Sequence, residues 1–259
     1  MKRQLRCETA PAPENSGTSS PVALEVSQLH FAYPEGSQVL AGMNLQVNTG
    51  ERLGLIGPNG AGKTTLFLLA CAILTPDAGT VRVFGNPVRT IDCAPDINMV
   101  FQNPDDQLFC SSVWQDVAFG PQNIGLPSQE VTVRVAEALR RTGTQELADR
   151  VPHHLSGGEK RMVSIASILA LYPRVVIYDE PSASLDMRAR RRLIRFLRES
   201  RQSLLLASHD LEFVLEVCDR VVVVNEGQAI GGGDPATLMR ETDLMEANGL
   251  ETPHSLSSV

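Results

Sequence analysis

The sequence predicts an α/β fold with a mainly parallel sheet core, and three of its stretches carry that prediction. Gly57-Pro58-Asn59-Gly60-Ala61-Gly62-Lys63-Thr64 is a glycine-rich loop set between an apolar strand, Glu51 to Ile56, and an uncharged helix, Thr65 to Leu74. Two largely apolar runs, Arg174 to Tyr178 and Ser203 to Ser208, flank a charged helix over Met187 to Arg201, the pattern of parallel strands covered on both faces. Between these halves, residues 103 to about 171 change character and read as helical, with breaks at Pro104, Gly120-Pro121 and Gly125-Leu126-Pro127. A helical segment is therefore inserted into an α/β core.

Taken in order, residues 1–20 begin Met1-Lys2-Arg3 and continue polar and then Pro/Ser-rich, without the apolar centre of a signal peptide, and are expected to form a disordered leader. Alternating apolar residues from Ala23 to Tyr33 predict a strand, Pro34 to Ser37 a turn, and Val39 to Val47 and Arg52 to Ile56 two further strands. Thr75 to Gly79 ends the helix after the loop, Thr80 to Phe84 returns as a strand, and Ile97 to Gln102 is another. Ser128 to Thr142 predicts an amphipathic helix capped by Ser128, with Glu130 in its first turn, and Gly157 to Leu171 a second helix. After the strand at 203–208 come a helix over Asp210 to Cys218, a strand over Arg220 to Asn225, and a last helix begun by Asp234-Pro235 and ended by Asn248-Gly249.

With 259 residues, 42% of them hydrophobic, the chain can bury a full core, and its net charge of −7 argues against a general nucleic-acid binder. Five scattered cysteines, Cys7, Cys71, Cys93, Cys110 and Cys218, form no Cys-x-x-Cys pair and read as reduced structural thiols. The longest uncharged stretch near the loop, Thr64 to Pro76, is well short of the roughly 20 apolar residues a spanning helix needs.

The loop's spacing, Gly, four residues, Gly-Lys-Thr, is that of the phosphate-binding P-loop. Its glycines let consecutive backbone N–H groups close on phosphate oxygens, Lys63 reaches the outer phosphates, and the Thr64 hydroxyl can take a place on Mg2+. Asp179 and Glu180 end a buried strand; the first can hold the magnesium ion bridging the phosphates, and the second can orient and partly deprotonate an attacking water. Leu155-Ser156-Gly157-Gly158-Glu159 opens the helix at Gly157, and Asp179 follows 23 residues beyond Ser156.

P-loop, Leu-Ser-Gly-Gly-Glu, Asp-Glu-Pro and a lone His209 after a strand, in that order, resemble the nucleotide-binding subunit of ATP-binding cassette transporters over about residues 22–235. The resemblance implies an ATP-binding cassette fold: an N-terminal antiparallel β subdomain, an ATPase domain over 21–235 with its helical subdomain at about 103–171, and a C-terminal helix and tail over 236–259. It implies MgATP as bound nucleotide and places Tyr33 under the adenine. Gly57, Pro58, Asn59, Gly60, Ala61, Gly62, Lys63, Thr64 and Thr65 fall on the phosphates, and Thr64, Gln102 and Asp179 on Mg2+. Glu180, His209 and Gln102 fall at the reacting phosphate. Ser156, Gly157 and Gly158 are implied to complete the site from a second copy, so a homodimer is expected, with Ser182 to Asp186 as the loop crossing its interface. Glu159 stands where the family usually has glutamine and Ser182 where it has threonine, two mild departures.

Phe101-Gln102-Asn103-Pro104-Asp105-Asp106-Gln107-Leu108-Phe109, then Asp116 to Pro121, and the late Glu246 to Glu251 are similar to the ATPase of energy-coupling-factor importers, particularly the cobalt and nickel type. That resemblance implies a peripheral protein at the cytoplasmic face of the membrane, receiving the coupling helices of integral membrane subunits. Asp105 and Asp106 are expected to pair with basic residues of such a helix, with Leu108, Phe109 and Trp114 as apolar anchors. A vitamin importer of the same class and a soluble cassette ATPase of translation or DNA repair are the alternatives, although the latter usually carry two cassettes or a coiled-coil insertion. His153-His154 reads as part of the approach to Leu-Ser-Gly-Gly rather than as a metal site, and the arginines between Arg188 and Arg198 read as a solvated face or an inter-subunit contact.

Overall fold

The computed structural model describes residues 21–34, 36–89 and 96–256, so the leader, Cys7 and Cys93 lie outside the described residues. Strands β1 (Val22–Ala32), β2 (Gln38–Asn48), β4 (Ala78–Val83) and β5 (Asn86–Pro87) form an antiparallel sheet in the order β2-β1-β4-β5. A second sheet takes β3 (Arg52–Ile56), β6 (Ile97–Val100), β7 (Val175–Asp179), β8 (Ser203–Ala207), β9 (Arg220–Asn225) and β10 (Gln228–Gly233) in the order β10-β9-β3-β8-β7-β6. Every pair in it is parallel except β9 with β10.

Alternation along these buried strands sends their side chains into two cores. Leu53, Leu55, Ile177, Leu205, Val222 and Val224 join the antiparallel sheet and helix α1 (Lys63–Ala70) on one face. Val176, Tyr178, Leu204, Leu206, Val221 and Val223 face the helices on the other. These are α2 (Val113–Asn123), α3 (Ser128–Thr142), α4 (Gly157–Leu169), α5 (Met187–Glu199) and α6 (Leu211–Val217), followed by α7 (Pro235–Leu238) and α8 (Thr242–Ala247). Burial on both faces is why β7, β8 and β9 read as continuous apolar runs.

Four expectations need correction. Helix α3 has the predicted bounds, but Pro127 occupies its N-cap position without a side-chain cap; Ser128 starts the helix, and its carbonyl accepts the Thr132 hydroxyl at 2.9 Å. Helix α1 stops at Ala70 rather than Leu74, because Ala72 turns left-handed at φ 55°. The single C-terminal helix is two short ones interrupted at Met239–Glu241, and Asn248, hydrogen bonded to Asn225 at 3.0 Å, pins the segment to β9. Leu108, expected as a surface anchor, is 1% exposed in the core, whereas Phe109 is 61% exposed. Among the described residues no helix is long and apolar enough to cross a membrane.

Candidate functional site

Four neighbouring strands of the parallel sheet, in the spatial order β3-β8-β7-β6, each deliver a polar residue from their carboxyl ends: the glycine-rich loop, His209, Asp179 with Glu180, and Gln102. The carboxyl edge of a parallel sheet is where α/β folds bind ligands, since strand ends and helix N-termini converge there. Together with Tyr33 and Val39 from the antiparallel sheet, these residues line a cavity of about 540 Å³, within the usual range for small-molecule sites.

The loop's shape depends on glycine at two points. A Cβ on Gly57 would lie 2.0 Å from the Val224 carbonyl oxygen, and Gly62, the N-cap of α1, has φ 97° with Leu40 and Val39 against it. Asn59, Gly60, Ala61, Gly62, Lys63, Thr64 and Thr65 line the cavity, while Gly57 and Pro58 contribute through their carbonyls. These accept hydrogen bonds from Lys63 Nζ at 2.7 and 2.9 Å, which folds the ammonium back over the loop. Burial lowers the Lys63 pKa, opposed by the charges of Glu180 and Asp179.

The Thr64 hydroxyl donates to Asp179 Oδ2 at 2.8 Å. Asp179 is almost wholly buried, and burial raises its pKa against the effect of that hydrogen bond. A hydroxyl and a carboxylate held together beside a phosphate loop are hard oxygen donors, and Mg2+ is characteristically held by one or two such groups plus substrate phosphates. The donor set fits the ion. Gln102 lines the same cavity.

Glu180 adopts φ 45°, a left-handed conformation uncommon outside glycine, and its N–H donates to the Ala207 carbonyl at 2.9 Å. That turn brings its Oε2 to 2.7 Å from His209 Nδ1 and 3.2 Å from the His209 backbone N–H. The carboxylate is thus fixed at one oxygen, with the His209 ring open to solvent. Tyr33 is exposed at the cavity mouth, braced edge-on by Phe31 at 4.9 Å between centroids, with its hydroxyl 3.4 Å from Thr65 Oγ1.

Ser156, Gly157 and Gly158 do not line this cavity. Ser156 caps α4 in a reciprocal box, accepting from the Glu159 N–H at 3.3 Å while Glu159 Oε2 accepts from the Ser156 N–H at 2.8 Å. Glu159 is therefore held below the usual carboxylate range by its bonds to Ser156, which gives the residue at the glutamine position a local purpose. Gly158 has no room for a side chain, since a Cβ would lie 2.6 Å from that of Ala189. His153 and His154 sit exposed in a 3-10 turn, and no group of three His, Cys, Asp or Glu side chains among the described residues is arranged to hold a metal.

Two neighbours of the site escape the sequence reading. Val39 is an ordinary strand residue and gives no signal. Arg161 does give one: it is a charge leading the mostly apolar stretch Met162-Val163-Ser164-Ile165, and it is 2% exposed with its guanidinium on the carbonyls of Phe101 and Gln102.

Fold and site together define a P-loop nucleoside triphosphatase with an antiparallel sheet and a set of helices packed on its two faces. The ABC transporter family matches residues 40–183. A protein of Synechocystis sp., provisionally named an ABC transporter ATP-binding protein, is 51% identical over 245 residues, covering 94% of this chain and 86% of its own. The energy-coupling factor transporter ATP-binding protein EcfA of Methanothermobacter thermautotrophicus is 44% identical over 240 residues, covering 90% and 77%. CbiO1 from Clostridium perfringens, described as part of the ABC transporter complex CbiONQ, superposes with a TM-score of 0.78 at 36% identity over 88% of this chain and 94% of that one. The chain belongs to the ABC transporter family as its ATPase, binding ATP with Mg2+ and hydrolysing it.

Proposed function

We propose that this chain is the ATP-hydrolysing subunit of an energy-coupling-factor type importer carrying a transition-metal ion, cobalt or nickel, and that it acts as a homodimer at the cytoplasmic face of the membrane. The observation that carries the reading is the division of its polar residues. One cavity gathers Tyr33, Lys63, Thr64, Gln102, Asp179, Glu180 and His209, while the tip of α4, Ser156 to Gly158, stands outside it as a largely exposed helix N-terminus, capped within its own chain by Glu159. A second copy brings that tip to the first copy's phosphates and completes the cage.

In this reading Tyr33 stacks on the base, and Lys63 leaves the Gly57 and Pro58 carbonyls for the outer phosphates. Thr64 and Asp179 would hold Mg2+, and the ion would supply positive charge against the phosphates. Glu180, which lines the cavity with one carboxylate oxygen committed to His209, takes a proton from the attacking water. The metal cargo is supported by the stretches Phe101 to Phe109, Asp116 to Pro121 and Glu246 to Glu251, which are similar to cobalt and nickel importers, and the energy-coupling-factor class by the likeness to EcfA.

The test is reconstitution of the full chain with its membrane subunits in vesicles and uptake of radiolabelled cobalt and nickel. Glu180→Gln should bind ATP with wild-type affinity, lose at least about a hundredfold in turnover, accumulate as an ATP-bound dimer and stop uptake. Normal hydrolysis by that variant removes Glu180 as the base, and ATP-driven uptake of a vitamin with no metal uptake overturns the cargo.

A further inference from the structure

Helix α4 carries Ser156 to Gly158 at its tip and, in its first turns, a buried cation. The Arg161 guanidinium donates from one terminal nitrogen to the Phe101 carbonyl and from the other to the Gln102 carbonyl, both at 2.6 Å. Among the described residues it has no carboxylate within ion-pair distance, and its Nε is buried without a partner. Burial lowers its pKa to about 10, with the charge of Asp179 opposing. A buried cation compensated only by carbonyls is a poor stabiliser, and an apolar residue of similar volume would serve packing better. The planar fork does something an apolar residue cannot: it grips two successive carbonyls in fixed register.

Two more α4 contacts fall on the same stretch. Gln107 donates to the Ser164 carbonyl and to Ser167 Oγ, each at 2.8 Å, while its Oε1 accepts from the Phe101 N–H at 3.3 Å. Lys160 pairs with Asp105 at 2.7 Å. Of the three, only Arg161 holds the main chain at Gln102 itself.

We infer that Arg161 is a positioning residue for Gln102, fixing that residue's main chain to α4 so that the Gln102 side chain and the Ser156–Gly158 tip move as one piece. The inference rests on the proposed role of Gln102 at Mg2+ and the outer phosphate. Its consequence is that each copy's grip on its own Mg2+ is set by the same helix that reaches its partner's nucleotide.

The experiment uses the full chain as wild type, Gln102→Ala, Arg161→Met, Arg161→Lys and the Arg161→Met/Gln102→Ala double variant. It measures kcat and KM for ATP, affinity for a non-hydrolysable ATP analogue in Mg2+ and in EDTA, and Tm. Arg161→Met should lower kcat by about 10–100-fold, the usual effect of losing a residue that orients a metal contact. Affinity in EDTA should be unchanged and the gain from Mg2+ reduced, and Arg161→Lys should recover part of both. The double variant should be no worse than its worse parent, because both changes disable one group. Additive losses, or a Mg2+ gain equal to wild type in Arg161→Met, overturn the positioning role. If Gln102→Ala alone keeps wild-type kcat and Mg2+ gain, the underlying reading of Gln102 fails instead. Should Arg161→Met not fold, Arg161→Lys and Arg161→Lys/Gln102→Ala make the same comparison.

Discussion

Asp179 and Lys63 show how the site is bought at the level of single residues. Burial pushes the Asp179 carboxyl up and the Lys63 ammonium down, so both carry charge in surroundings that disfavour it. For an acid whose pKa is raised by folding, the folded state binds the proton more tightly than the unfolded chain. Stability is therefore lost as pH rises from the ordinary carboxylate range through the raised value, and the full penalty is present at neutral pH. Asp179→Asn keeps an acceptor for the Thr64 hydroxyl while removing the charge. Without nucleotide at pH 7 it should be more stable than wild type by about 0.5–2 kcal/mol, the common gain from relieving a functional-site constraint. Its advantage should vanish below pH 4 in thermal melts across pH, and the variant should gain no nucleotide affinity from Mg2+. A wild-type protein at least as stable as the variant at pH 7 would show that the Thr64 bond outweighs burial.

At the scale of elements, helix N-caps aim the loops that carry the chemistry. Asp210 caps α6 immediately after His209, accepting from the Phe213 N–H at 2.9 Å, and meets Arg190 of α5 at 2.9 and 3.3 Å. Burial raises its pKa, but Arg190 and the cap outweigh that and hold it below the usual range. Asp210→Ala should cost about 1–2 kcal/mol in urea unfolding at pH 7, the typical loss of a cap. Because a depressed acid contributes stability that is lost as pH falls through its folded value, the gap between variant and wild type should narrow below the ordinary carboxylate range. Elements with a strong local signal were legible in the sequence: β9 has its predicted bounds because Arg220 to Asn225 is a run of valines between polar ends, and α3 because its apolar spacing is helical. Strand β10 was not, since Gln228 to Gly233 is half glycine and exists by pairing with β9 rather than by propensity. At the start of α3, Ser128 has the residue type of a cap, but Pro127 before it, whose fixed φ suits the position, takes that place. Most cavity residues were legible because they fall within motifs, and Val39, an ordinary strand residue, was the exception; Arg161 was not assigned because its partners are carbonyls, which no sequence displays.

For the whole molecule, the question is how the ATPase meets a membrane partner, and the structure redistributes the residues expected to do so. Leu108 is core, Trp114 packs partly against it, and Asp105 is engaged by Lys160 of α4. What remains outward is Asp106, with Phe109 and Phe119 in an edge-on pair at 4.9 Å, 61% and 44% exposed. The segment is held from beneath: buried Asp116 accepts the N–H groups of Phe109 and Cys110, each at 2.9 Å. An exposed aromatic pair, with an exposed carboxylate three residues before Phe109, suits a helix that offers an apolar face and a basic residue. Reversing Asp105 would also break its bond to α4, so it cannot separate docking from catalysis. Asp106→Lys combined with Phe109→Ala can. In the isolated chain this variant should keep wild-type Tm and ATP turnover, while affinity for the membrane subunits falls about thirtyfold or more, as expected for a lost aromatic anchor worth about 2 kcal/mol. Uptake in vesicles should fall in proportion to docking at limiting ATPase and recover when the ATPase is in excess. Parallel loss of turnover in the isolated chain would place the defect in the fold, and undiminished docking would move the contact to another face.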